Sequence, residues 1–233
     1  MKIVDVLRND WPIATEVLKL ESRLWQLVLK QSLRVVMVSS ALRNEGKSTT
    51  VAYLATALAI HPGRKILAVD MDFRGPTMRE HFEVTVQAGL ADVLRGERGL
   101  QDAITATDLP GLQLLLPARD SESADPRLLH DTVHLHEIFG ALRQVYDLIL
   151  IDSPALVPVP DSTALVPLSD GVIMMAMAGR TSKHHLVHAR ELCLSMGANL
   201  LGLVVANVQE AAPEYLDARY YYGYSVHKNG GGS

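Results

Sequence analysis

Apolar residues recur in two rhythms along this chain. Unbroken apolar runs at Arg34–Ser39, Lys65–Asp70, Leu112–Leu116, Asp147–Asp152, Gly171–Ala176 and Leu200–Ala206 predict six strands of the kind buried on both faces. Between them, segments of helical period at Thr49–Ile60, Gly89–Gly96, Arg127–Val145 and Ser182–Gly197 predict helices. Within Arg127–Val145 the period assigns Leu128, Val133, Ile138 and Leu142 to the core. An earlier helix is expected to be capped by Asn9 or Asp10, with Pro12 in its first turn. It repeats Ile13, Val17, Leu20, Leu24 and Leu27 on one face and Glu16, Lys19, Arg23 and Lys30 on the other. Strand and helix alternate throughout. The expected fold is therefore α/β, a mostly parallel central sheet with helices on both faces.

One polar interruption stands out. Val36-Met37-Val38-Ser39-Ser40 runs into Ala41-Leu42-Arg43-Asn44-Glu45 and then Gly46-Lys47-Ser48-Thr49, where a helical pattern begins. A strand, a loop and a helix start form the setting of a phosphate-binding loop. The first N–H groups of a helix lack intrahelical partners, and its dipole favours negative charge there. Gly46 lets the backbone approach a phosphate, Lys47 reaches the outer phosphates, and the Ser48 hydroxyl holds Mg2+. The usual pattern opens on glycine, where this chain has Ala41. The sheet is thus expected to be of the P-loop NTPase type.

Two more strands end in acids. Lys65–Asp70 leads into Asp70-Met71-Asp72-Phe73-Arg74, and Asp147–Asp152 leads into Ser153-Pro154-Ala155. In a parallel sheet these carboxyl ends share one edge with Lys47 and Ser48, the edge where open α/β sheets bind ligands. A Mg-nucleotide site follows. Ser48 ligates the metal, Asp152 holds a metal-bound water, and Asp70 and Asp72 serve either the metal or an attacking hydroxyl.

Composition narrows the field. The chain has 233 residues, 48% of them hydrophobic and 21% charged, which suits one globular α/β domain. A net charge of -4 gives no support for nucleic acid as the main partner. Cys193 is the single cysteine, so an internal disulfide or a cysteine-rich metal site is excluded. His130, His134 and His136 fall on one predicted helix without a third ligand pattern, and read as surface residues. No apolar run is long enough to span a bilayer, and Met1–Asp10 has no signal-peptide pattern. A cytoplasmic chain is expected, with any membrane role supplied by a partner. The segment Pro117–Pro126 reads as a loop. Residues 1–210 are expected to form the ATP-binding domain, 211–228 a flexible tail, and 229–233 an added glycine-rich linker. The tail holds Tyr215, Tyr220, Tyr221, Tyr222 and Tyr224, five of the seven tyrosines, with no core-forming period.

These stretches together resemble the bacterial tyrosine autokinases of capsule and exopolysaccharide synthesis. The resemblance rests on I-L-A-V-D-M-D-F-R-G-P, which is similar to that family's Walker A′ motif, and on E-G-K-S-T, L-I-L-I-D-S-P, G-L-A-D-V-L-R-G and the closing tyrosines. It implies a kinase using ATP and Mg2+. Asn44, Glu45, Gly46, Lys47, Ser48 and Thr49 would surround the phosphates, with Arg74 nearby and Asn207 at the adenine. Asp70 would activate the tyrosine hydroxyl, Asp72 would support the metal, and Asp152 would organise it. The tail tyrosines would be the phosphorylated residues. The implied partners are a membrane adaptor of the chain-length-determinant type, further copies of the chain and a tyrosine phosphatase. The adaptor would bring the chain to the inner face of the membrane.

The chain departs from that family at defined positions. Arg43-Asn44 stands where Pro-Gly is usual, and Pro154-Ala155 where Pro-Pro is usual. The oligomerisation pattern E-x-x-R-x-x-R reduces here to Glu16, Lys19 and Ser22-Arg23, so the resemblance leaves ring, dimer and monomer open. Two other functions stay open at this point. One is an ATP-binding scaffold of the same family with weak turnover. The other is a partition or septum-site ATPase switch, a group with a second lysine at the position of Leu42.

Overall fold

Strands that are apolar on both sides need cover on both sides, and the chain supplies it by returning through helices. The computed structural model describes residues 3, 7, 11–117, 125–158 and 161–208. Its centre is one sheet of seven strands: β1 (Val35–Ser40), β2 (Ile66–Asp70), β3 (Ile104–Ala106), β4 (Leu112–Leu115), β5 (Leu148–Asp152), β6 (Gly171–Met177) and β7 (Leu200–Ala206). Across the sheet the order is β3-β4-β2-β5-β1-β6-β7. Every neighbouring pair is parallel except β3 with β4. The fold is thus the expected mostly parallel α/β sheet.

One face is covered by α1 (Trp11–Gln31) and α2 (Lys47–Ala59). Leu24 and Val28 of α1 and Val51, Leu54 and Leu58 of α2 pack there with Val36, Ala68 and Leu150 from the strands. The other face carries α4 (Leu90–Leu94), α6 (Thr132–Leu142), α7 (Asp161–Leu165) and α8 (Lys183–Ser195). Leu90, Leu135, Phe139, Leu165 and Ala189 pack there with Met37, Val69 and Ile151. Two short helices, α3 (Met78–Phe82) and α5 (Leu100–Ala103), complete the connections. Among the described residues no helix is long and apolar enough to cross a membrane.

The structure corrects the sequence reading in three places. The three-residue strand β3 was not expected; it is the antiparallel edge, entered directly from α5. The predicted helix Arg127–Val145 is two pieces, a 3₁₀ turn (Pro126–His130) and α6. Asp131 separates them, and its carboxylate accepts the His134 N–H at 3.1 Å as an N-cap. The break resets the helical phase. Val133 is 70% exposed, while Leu129, Leu135 and Phe139 join Ile138 and Leu142 in the core. On α1 Leu24 is buried and Leu20 and Leu27 pack against the core as expected, but Ala14, Glu21 and Val28 are buried beside them and Ile13 faces solvent. The predicted caps Asn9 and Asp10, most of Pro117–Pro126, and the tail and linker lie outside the described residues.

Candidate active site

Three positions set the backbone path of the loop between β1 and α2. Ala41, at the usual first-glycine position, is fully buried. Asn44 adopts φ 58 and Gly46 φ 86, both left-handed. Asparagine is, after glycine, among the residues that tolerate this region best, because its short amide bonds locally. The left-handed bend at Asn44 is thus carried by asparagine rather than glycine. Gly46 offers no side-chain cap to α2, and no acid occupies the first turn. The leading N–H groups of α2 are therefore positioned for an anion. Lys47 opens the helix and is only 6% exposed. Thr49 is exposed, its Oγ1 3.5 Å from Nε2 of His81 on α3. Burial holds His81 below the usual imidazole range, against the pull of Glu80. Glu45 is fully buried, and its carboxylate accepts the Leu42 N–H at 2.9 Å across the loop.

The strand ends converge as expected. Asp70 and Asp152 are partners in the β2–β5 register, and Asp152 is also the partner of Val38 in β1. Both acids are fully buried. Asp70 accepts N–H groups from Asp72 (3.0 Å) and Met78 (3.3 Å). Its pKa is nonetheless raised well above the carboxylate range, first by burial and then by the negative Asp152; the two N–H groups pull the other way. Burial raises Asp152 to about 7, opposed by the Ser48 hydroxyl and the Lys47 ammonium. Ser48 is near enough to favour the anion without reaching hydrogen-bond geometry, for neither Asp152 oxygen has a hydrogen-bond partner. A buried carboxylate with two unmet oxygens beside a serine hydroxyl and a second acid fits a hard divalent cation such as Mg2+. Asp72 is half-buried and its Oδ1 accepts the Arg74 N–H at 3.3 Å; Arg74 itself is exposed.

Lys47, Ser48, Asp70, Asp72 and Asp152 thus share the carboxyl edge of the sheet. Asn207 follows β7 on that edge with φ 60, and Ala206 lies beside Gly46, 3.8 Å from where a Gly46 Cβ would stand. Pro154 and Ala155 keep the turn after β5 through their carbonyls, which accept the Ser39 and Ser162 hydroxyls. The sequence reading missed Arg180 and Thr181, which touch the phosphate loop from the turn after β6. Their position past a strand's carboxyl end was the available signal. Tyr215, Tyr220, Tyr221, Tyr222 and Tyr224 lie outside the described residues. His130, His134 and His136 form no metal-binding group among the described residues.

The architecture has known relatives. The AAA domain family matches residues 34–187. The tyrosine-protein kinase CpsD of Streptococcus agalactiae serotype III (strain NEM316) is 30% identical over 185 residues, covering 79% of this chain and 78% of that protein. The VpsO kinase domain superposes with a TM-score of 0.72 at 27% identity, covering 84% of this chain and 97% of that one. The septum site-determining protein MinD of Pyrococcus horikoshii OT3, complexed with Mg-ADP, superposes with a TM-score of 0.63 at 29% identity over 74% of this chain and 69% of that one. With the phosphate loop, the two buried acids and the D-x-D-x-R strand end in one place, this chain belongs to the bacterial tyrosine-protein kinase family built on the P-loop ATPase fold.

Proposed function

We propose that this chain is an ATP-dependent protein-tyrosine autokinase that phosphorylates its own C-terminal tyrosines and thereby regulates capsule or exopolysaccharide synthesis. The observation that carries this reading is where β7 ends. Ala206 lies against Gly46 of the phosphate loop, so the chain leads toward Tyr215–Tyr224 from beside the candidate site. About 9 to 18 residues separate Ala206 from those tyrosines, a reach of up to about 30–60 Å when extended. That reach serves the chain's own site or a neighbour's.

The residues divide the work accordingly. Lys47 and the first N–H groups of α2 bind the phosphates, joined by the backbone of Asn44 through Thr49, while Asn207 receives the adenine. Asp152 and Ser48 hold Mg2+, with Asp72 in support; bound there, the ion would neutralise charge developing on the phosphates. Asp70 takes the phenol proton, a role that suits a carboxyl whose proton affinity burial has raised. Arg74, beside Asp72, lies where it can face phosphate oxygens. Residues 1–210 are the kinase domain and 211–228 the substrate tail. A membrane adaptor of the chain-length-determinant type recruits the chain to the inner membrane face, and a tyrosine phosphatase reverses the modification.

Intact mass of the purified chain, with Mg-ATP and then with phosphatase, tests this. The expected result is a ladder of phosphate adducts in the wild type, removed by phosphatase and absent in Lys47→Met. A wild type that binds ATP yet gains no phosphate, even with an adaptor's cytoplasmic segment added, overturns the autokinase reading. Tight nucleotide binding without turnover would then favour the scaffold, and ATP-dependent dimers with hydrolysis the septum-site type of switch.

A further inference from the structure

The phosphate loop is braced from outside by a part of the chain 136 positions away in sequence. Glu45 is fully buried, so both carboxylate oxygens need donors. One oxygen accepts the Leu42 N–H at 2.9 Å, closing the loop on itself. The other accepts the Thr181 hydroxyl. The same Thr181 oxygen accepts the Met177 N–H at 2.8 Å, so the hydroxyl both gives and receives. Next to it, the Arg180 guanidinium donates to the Asn44 carbonyl at 3.0 Å, at the residue that carries the left-handed bend. The turn holding Arg180 and Thr181 is itself fixed, by Thr181 N–H to the Met177 carbonyl (2.9 Å) and Ala178 N–H to the Ala206 carbonyl (2.9 Å). The turn is thus anchored to β6 and β7, and Arg180 and Thr181 reach from it to the loop.

We propose that Glu45, Thr181 and Arg180 are positioning residues, which hold the phosphate loop in its binding shape and make the turn after β6 part of the nucleotide site. None of their side chains needs to touch the phosphate. A loop with a buried acid at Glu45 and a bent Asn44 has two reasons to spring open: an unmet carboxylate oxygen and a disfavoured φ. Thr181 answers the first and Arg180 restrains the second. Removing the Thr181 hydroxyl leaves Glu45 short of a donor. The carboxylate then turns toward water to find another donor, and that rotation releases the Leu42 N–H. The loop thereafter has to be ordered at the expense of binding energy, which is the loss that preorganisation avoids.

The inference rests on the reading of this loop as the nucleotide's phosphate cradle. The test is the dissociation constant for Mg-ADP, with the melting temperature of the ligand-free protein measured alongside. Thr181→Val keeps the shape and loses the hydroxyl; it should weaken Mg-ADP about ten- to a hundredfold, as expected for a hydrogen bond to a charged group. Thr181→Ser restores the hydroxyl and should return to within about threefold of wild type. Glu45→Gln, which keeps the side-chain size, should also weaken binding, so the test survives if Thr181→Val does not fold. Rescue by serine is the outcome that a general packing role would not produce. If wild type binds, Lys47→Met does not, and Thr181→Val binds like wild type, the brace is refuted while the phosphate cradle stands. Thr181→Ser as weak as Thr181→Val refutes it equally. A wild type that binds no nucleotide overturns both.

Discussion

Asn44 shows how a residue can depart from a motif and keep its function. In the sequence it is a missing glycine; in the structure it is a left-handed residue, which is what glycine is used for. Backbone torsion has no signature in the side-chain pattern, so the compatibility was not legible beforehand. The consequence is a graded prediction. Asn44→Gly should leave both stability and nucleotide affinity nearly unchanged. Asn44→Val forces a β-branched residue to φ 58 and should cost about 1–2 kcal/mol of stability, with weaker Mg-ADP binding. Urea unfolding and titration calorimetry on the two variants check it; equal behaviour of Gly and Val would show that the torsion is not what constrains this position. Lys47, Ser48, Asp70 and Asp152 were legible because their chemistry is carried by type and by place at a strand end. Thr181 was not, because its meaning depends on Glu45, which meets it only after β6 is laid beside β1.

At the scale of elements, buried strands were the easiest to read and helix phases the hardest. An apolar run such as β5 is buried at every position and needs no phase. On α1 the expected stripe is broadened, and its inner side includes a buried acid. Glu21 pairs with Arg64 at 2.6 Å, and the Arg64 guanidinium lies 3.8 Å from the centre of the Trp25 ring. A glutamate on an apolar face looks like a phase error until its partner from the turn before β2 is known. β3 escaped notice because three residues carry no period. Asp170 is the joint that sets β1 against β6. Its Oδ2 accepts the N–H groups of Arg34 (2.7 Å) and Val35 (2.8 Å), and the Arg143 guanidinium at the end of α6 (2.8 Å). Partial burial alone would raise its pKa, but the Arg143 hydrogen bond and the two N–H groups outweigh that and lower it. A depressed folded-state pKa contributes stability that is complete above the ordinary carboxylate value and fades as the pH falls through the folded one. Asp170→Asn should therefore cost about 2 kcal/mol at pH 7, and the difference from wild type should shrink as the pH drops below about 4. Urea midpoints from pH 7 to pH 3 decide it; a constant gap would mean the loss is one of shape rather than charge.

At the scale of the whole molecule, alternation of strand and helix made the sheet legible, and the three polar strand ends made its working edge legible. What the pattern could not convey is assembly, because a surface contact leaves no period in one chain. The tail offers a way to argue it. In the proposed cycle an unphosphorylated tail carries neutral phenols and can enter a neighbour's site among Asp70, Asp72 and Asp152. Each phosphate adds about -1.5 to -2 charges. Five would add about -8 to -10 to a chain whose net charge is -4, concentrated within ten residues of Tyr215. Like charges on one tail repel one another and the acidic edge, so phosphorylation should loosen whatever assembly the tail supports. Sedimentation velocity on the phosphatase-treated chain and on the same chain after Mg-ATP should show a shift toward smaller species, larger at low salt, because exposed charges are screened over about 10 Å at 0.1 M. Lys47→Met should show no shift with Mg-ATP. Identical sedimentation of both wild-type forms at low salt would separate phosphorylation from assembly and leave the tail's charge without a mechanical role.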